Sequence, residues 1–184
     1  LDKWFKEHLP FKILRRIPEA NIDNVYNGAG IAMGWDDVFK RVFLTKRDYI
    51  PKQKEEYGYE EGVGYYIDRG ETREYIDLED KYYFEEAHFT IAYSPITQTW
   101  ISYYSFIPNY YNSLNSYFQT GVNQKGGKKH GVWSHHPFIS SYQVFYGELH
   151  PFIVEHSLST KASKGMLVSV NYWLEARKYY NKYD

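Results

Sequence analysis

Hydrophobic and polar positions alternate with a period of two in two stretches that begin 58 residues apart, and the two stretches superpose. The first, from Gly34, is GWDDVFKRVFLT; the second, from Ala92, is AYSPITQTWISY. Trp35 falls on Tyr93, Asp36-Asp37 on Ser94-Pro95, and Val42-Phe43 on Trp100-Ile101. Each has an aromatic closing one strand, a short polar turn, and a returning run of alternating apolar residues. That grammar predicts two β-hairpins, and its recurrence predicts stacked copies of one supersecondary unit. Repeated β-units build frames and surfaces more often than catalytic clefts.

The rest of the chain is less periodic. Residues 1–16 carry apolar positions at Leu1, Trp4, Phe5, Leu9 and Phe11, with Pro10 barring a longer helix, and predict a short helical or irregular lead-in. Residues 18–30, with Asn21, Asn24, Asn27 and Gly28, are turn material. The first hairpin follows, with strands at 31–35 and 41–45 around Asp36-Asp37. Residues 46–81 are charged and tyrosine-rich, broken by Gly58, Gly62, Gly64 and Gly70. No apolar period persists there, so a long excursion is expected, with a short strand at 64–67. Excursions of this length tend to bind something or to be ordered by a partner.

Residues 87–136 predict four strands, at 88–93, 99–107, 115–120 and 130–135. Four short antiparallel strands in about 50 residues match one blade of a β-propeller, and equally a meander within a sandwich. The earlier hairpin is then the start of a second, interrupted blade. Beyond Pro137, strands are expected at 142–149, 151–158 and 166–173, with a loop at 159–165; the tail LEARKYYNKYD mixes helix formers with clustered Tyr. The expected organisation is a lead-in (1–30), a first hairpin with a charged, Tyr-rich insertion (31–86), a four-stranded blade-like unit (87–136), and extended strands with a C-terminal tail (137–184). The fold class is mainly β: antiparallel four-stranded blade-like sheets, compatible with part of a β-propeller, a long irregular insertion and little helix.

Composition narrows the function classes. Lys and Arg number 22 against 23 Asp and Glu, a net charge of −1, which argues against an electrostatic footprint for nucleic acid or anionic membrane. Cysteine is absent, which removes disulfides, thiolate metal sites and a cysteine nucleophile. No window approaches the roughly 18 apolar residues of a membrane span. Tyr contributes 21 residues and aromatics 20% of the chain, which suits strands and wet interfaces; a merely tyrosine-rich core explains the count as well. The sequence opens on Leu1 with no initiating Met and no signal-peptide core, so a fragment of a longer polypeptide is expected.

The candidate chemistry is thin. His130, His135 and His136, with His150 and His156 downstream, form the one plausible metal-binding set. On a strand, however, His135 and His136 point to opposite faces, and a strand-end pair explains them better. Paired carboxylates at Asp36-Asp37, Glu55-Glu56, Glu60-Glu61 and Glu85-Glu86 could serve a glycosidase only if two faced each other across a sugar; solvated turns explain them better. WSHH lacks a nucleophile elbow. GYGYEEGVG and NQKGGKK match no phosphate loop. The pairs Tyr82-Tyr83, Tyr103-Tyr104 and Tyr110-Tyr111 each place one ring on either face of a strand, so one ring of a pair can be core while the other meets a partner. No catalytic, cofactor-binding or metal-ligating residue is therefore assigned, no cofactor is expected, and the chain is read as a non-enzyme.

WISYYSFIPNYYNSLNSYF from Trp100, GVWSHH from Gly131 and YQVFYGELHPFIVE from Tyr142, together with DDVFKRVFLTKRDYIP from Asp36, resemble the large tail proteins of crAss-like bacteriophages known as muzzle or stabilization proteins. The resemblance spans about two thirds of the chain, from Ile31 to Glu155. It implies a multi-copy structural component of the virion, made in the bacterial host cytoplasm and placed at the tail tip near propeller-bearing nozzles. Its implied partners are other copies of itself, neighbouring tail proteins and the remainder of a longer parent chain, with no specific nucleic acid and no membrane span. Alternatives are a carbohydrate- or receptor-binding module using exposed aromatics, with Trp100 and Trp133 foremost, and a cell-wall glycosidase.

Overall fold

The computed structural model describes residues 2–114, 117–122, 131–135, 144–150 and 153. A seven-residue helix, α1 (Asp2–His8), ends before Pro10, and a single 3-10 turn, Ile13–Arg15, follows. The strands are β1 (Gly30–Asp36), β2 (Arg41–Arg47), β3 (Tyr49–Pro51), β4 (Tyr57–Glu60) and β5 (Gly64–Asp68). They continue as β6 (Arg73–Ile76), β7 (Phe84–Glu86), β8 (Phe89–Ser94), β9 (Thr99–Tyr104) and β10 (Tyr110–Leu114). Last come β11 (Tyr117–Val122), β12 (Gly131–His135), β13 (Val144–Phe145) and β14 (Glu148–Leu149). The protein is mainly β, and among the described residues every strand pairing is antiparallel.

The two superposable sequences form the same hairpin. In the first, the Asp36 carboxylate accepts hydrogen bonds from the Val38 and Phe39 amides, and Lys40 takes φ of 50° before β2 begins. In the second, Ser94 Oγ accepts from the Thr97 amide and Gln98 takes φ of 56° before β9 begins. A polar side chain at the same position folds the chain back in both, and a left-handed residue aims it into the returning strand.

Their relationship in space differs from stacked blades. Both hairpins lie side by side in one four-stranded sheet of order β1-β2-β8-β9, joined where Val42 faces Tyr93 and Lys46 faces Phe89. The first hairpin therefore does not start a separate blade. The strands of residues 87–136 also divide: β8 and β9 belong to this sheet, while β10-β11-β12 form another. Pro108 and the buried Asn109, whose amide donates to Gly121 O, turn the chain out of the first sheet into the second. One run expected at 99–107 thus ends at Tyr104, and β10 is a further strand.

The excursion is the far end of a long ribbon. Tyr49 faces Glu86 three residues beyond the Lys46–Phe89 pair on each strand, and the Ala87 amide donates to Asp48 O between them. Hence β2 with β3, and β7 with β8, make one unbroken register from Val42 opposite Tyr93 to Pro51 opposite Phe84. The ribbon's tip is the meander β4-β5-β6, with the expected strand at 64–67 in its centre.

Two cores hold these layers. Phe43, on one face of the four-stranded sheet, packs against Tyr104, Phe106, Tyr111 and Phe118, the last two brought by β10 and β11. Gly34 permits this approach, since a Cβ there would lie 2.5 Å from Tyr111 side-chain atoms. The second core joins the lead-in to the ribbon: Ile13, Ile17, Ala20 and Ala29 with Tyr49, Tyr57, Tyr65, Ile67, Leu78 and Phe84. Complete burial of the Ile, Leu and Phe side chains among them is worth about 1.5–3 kcal/mol each.

The chain divides into two compact units, Leu1–Pro137 and Phe138–Asp184. In the second, β13 and β14 form a two-residue hairpin through Tyr146 (φ 52°) and Gly147 (φ 81°), the pair of positive values a type I′ turn requires. This hairpin breaks the single run expected at 142–149. The strands expected at 151–158 and 166–173, the loop at 159–165 and the tail lie outside the described residues.

Candidate functional site

Lateral pairing decides which side chains share a face. Trp35, Val42, Tyr93 and Trp100 stand in register across β1, β2, β8 and β9, and Met33, Leu44, Ile91 and Tyr103 form the next row. Helix α1 lies over the β8–β9 part of this face: the Trp4 ring sits 4.3 Å from Trp100 and 5.9 Å from Phe89. Leu44 and Ile91, on the same face, are buried. Over β1 the cover stops. Ile31, Met33 and Trp35 occupy alternate positions on the same face, and Met33 is 61% exposed. On the opposite margin, Ile101 is the extra residue of a bulge between the Tyr93–Trp100 and Ala92–Ser102 pairs; it is 50% exposed, and Tyr103 57%. Neither β1 (GIAMGWD) nor β9 (TWISYY) carries a lysine, arginine or proline that would blunt an edge.

The paired tyrosines divide as the strand period requires. Tyr103 faces out while Tyr104 stacks into the core on Phe43 and Phe106. Tyr110 is the outer member of its pair; Tyr111 packs on Phe118 and hydrogen-bonds Thr45 through its hydroxyl. Tyr82 is exposed, whereas the Tyr83 hydroxyl donates to Glu74. Trp100, singled out for sugar stacking, is half-buried under α1.

Among the described residues the histidines and carboxylates do not converge. His135 is a core-lining residue between the Phe106 and Phe118 rings, with its Nε2 2.8 Å from Thr120 Oγ1. His150 packs on Phe145 in the other unit. His130, His136 and His156 lie outside the described residues. Among the described residues no three His, Asp or Glu side chains are grouped to hold a metal, and no helix is long and apolar enough to cross a membrane. Asp36 is fully buried, caps its turn and accepts from Arg41 Nε at 2.9 Å. Its neighbour Asp37 is solvent-facing, and hydrogen bonds from Lys40 and Trp35 hold its carboxyl below the usual range. Glu55 meets Arg69, Glu60 meets Arg73 and Tyr75, and Glu85 and Glu86 are exposed on β7.

No protein-family model, curated protein or solved structure matches this chain.

Two further places were not legible in the sequence. One is a buried polar knot at the bend of the ribbon. Asp48 accepts from the Lys12, Ile13 and Tyr49 amides and from Lys46 Nζ at 2.8 Å, and Lys46 also donates to the His8 and Pro10 carbonyls. His88 Nδ1 accepts from the Asp48 amide; burial, helped by nearby Arg47, pushes the imidazole down to about 4, so it is neutral at pH 7. This knot ties the lead-in to the sheet. The other is a cleft of about 490 Å³ between the asparagine-rich loop and the β4-β5-β6 meander. Asn21, Asn24 and Asn27 line one wall, and Tyr59, Tyr65 and Asp77 line the other.

Proposed function

We propose that this chain is a structural component of a bacteriophage virion tail, in the tail-tip muzzle or nozzle region, acting through subunit–subunit packing in a multi-copy assembly and not through catalysis. The carrying observation is the partly covered face of the four-stranded sheet: α1 covers Phe89 and Trp100 through Trp4, while Ile31, Met33 and Trp35 stay open over β1. An exposed, uncharged apolar stripe on a strand is a liability for a lone molecule and an asset for a packed one. In this reading a neighbouring copy lies on β1 as α1 lies on β8 and β9. Ile101 and Tyr103, on the opposite margin of the sheet, supply a second and different surface. Two different surfaces make a head-to-tail contact that closes into a ring when the rotation permits. The resemblance to crAss-like tail proteins supplies the virion context, and a propeller-related setting remains part of the proposal.

Terminal sequencing and intact mass of this polypeptide in its native source test the proposal. Recovery within megadalton tail particles supports it. A free species of 22.0 kDa with no partners contradicts it.

A further inference from the structure

The cleft beside the ribbon's tip has a chemistry that subunit packing does not use. A second hollow of about 370 Å³ adjoins it, sharing Asn21 and Tyr59 and adding Glu19 and Glu61. Together they form one groove at the size of small-molecule sites, which run to roughly 300–1,000 Å³. Its lining holds amides, carboxylates and phenols but no Lys or Arg, so phosphate, sulfate and nucleic acid find no counter-charge there. Gly62 and Gly64 leave one rim bare, and a Cβ at either would touch nothing.

The amides are held in position. Asn21 Oδ1 accepts from the Asp23 amide and Asn24 Oδ1 from the Asn27 amide, which fixes both side chains by their oxygens. The Nδ2 donors of Asn21 and Asn24 make no hydrogen bond among the described residues, and neither does the Tyr59 hydroxyl. Tyr59 is itself propped by Tyr65, with ring centroids 4.9 Å apart; burial pushes the Tyr65 phenol up to about 12. Oriented neutral donors, carboxylate acceptors and a supported aromatic ring in an open groove fit a ligand with many hydroxyls and an apolar C–H face.

We infer that this groove is a binding site for a neutral saccharide chain, with Asn21 and Asn24 donating to sugar hydroxyls and Tyr59 offering ring surface. The inference does not depend on the assembly reading.

Isothermal titration of the 184-residue chain with neutral tri- to pentasaccharides of gluco, manno and galacto configuration tests it, with a sulfated tetrasaccharide as the anionic control. At least one neutral oligosaccharide is expected to bind, and the sulfated one is not. Asn21→Asp and Asn24→Asp keep the oxygen that each loop needs and replace the donor with a charged acceptor, so each should weaken binding about tenfold with unchanged melting temperature. Tyr59→Ala should weaken it by a similar factor. Absence of binding by every neutral oligosaccharide at millimolar concentration would overturn the inference, as would preference for the sulfated probe. Binding unaffected by both Asn→Asp changes would overturn it too.

Discussion

Asp48 and Lys46 show how single residues hold this fold. Both are essentially without solvent exposure, and each is satisfied by the other and by backbone groups of the lead-in. Removing one partner strands a buried charge, so Asp48→Ala should cost about 3–5 kcal/mol, read as a lower urea midpoint. His88 gives a pH signature. Its folded value near 4 lies below the ordinary 6.5, so between these values the unfolded chain binds the extra proton and the folded one does not. Stability from this group is complete above about pH 6.5 and is lost as pH falls towards 4, by at most about 3 kcal/mol. His88→Asn retains an acceptor for the Asp48 amide without titrating, and melting curves between pH 7.5 and 4.5 should show a shallower loss than the parent. An equal loss in both would remove His88 from the account. None of this was legible beforehand, because Lys46, Asp48 and His88 look like ordinary polar residues until the ribbon and the lead-in meet.

Among the elements, the two hairpins were the most legible, since period-two alternation and a polar turn are local properties. Their shared left-handed position gives a matched prediction. Gln98→Gly should be neutral or stabilise by about 0.5–1 kcal/mol, whereas Gln98→Val should destabilise by about 1–2 kcal/mol, by thermal melting. Gly34→Ala should cost about 1–3 kcal/mol, because the new methyl meets Tyr111 where the two sheets touch. The meander β4-β5-β6 was mostly hidden for a physical reason: its buried positions include Tyr57 and Tyr65, and tyrosine counted as half-polar erases the alternation that its burial restores. The continuity of β2 with β3 and of β7 with β8 was hidden too, since register across about forty residues is a tertiary property. The groove was equally unreadable: Asn21, Asn24 and Asn27 look like turn residues, and only folding sets them opposite Tyr59.

For the whole molecule, one sheet is packed on one face by β10-β11-β12 and on part of the other by α1. The uncovered part carries the central claim, that the molecule is completed by its neighbours. Mass measurement in solution at micromolar concentration, on the parent chain and on Met33→Glu, tests it most directly. Met33 is largely exposed, so the substitution leaves the fold and the circular dichroism unchanged while placing a charge in the stripe. The account predicts a multi-copy species for the parent and a single copy of about 22.0 kDa for the variant. A parent chain that stays a single copy across the accessible concentrations would contradict it.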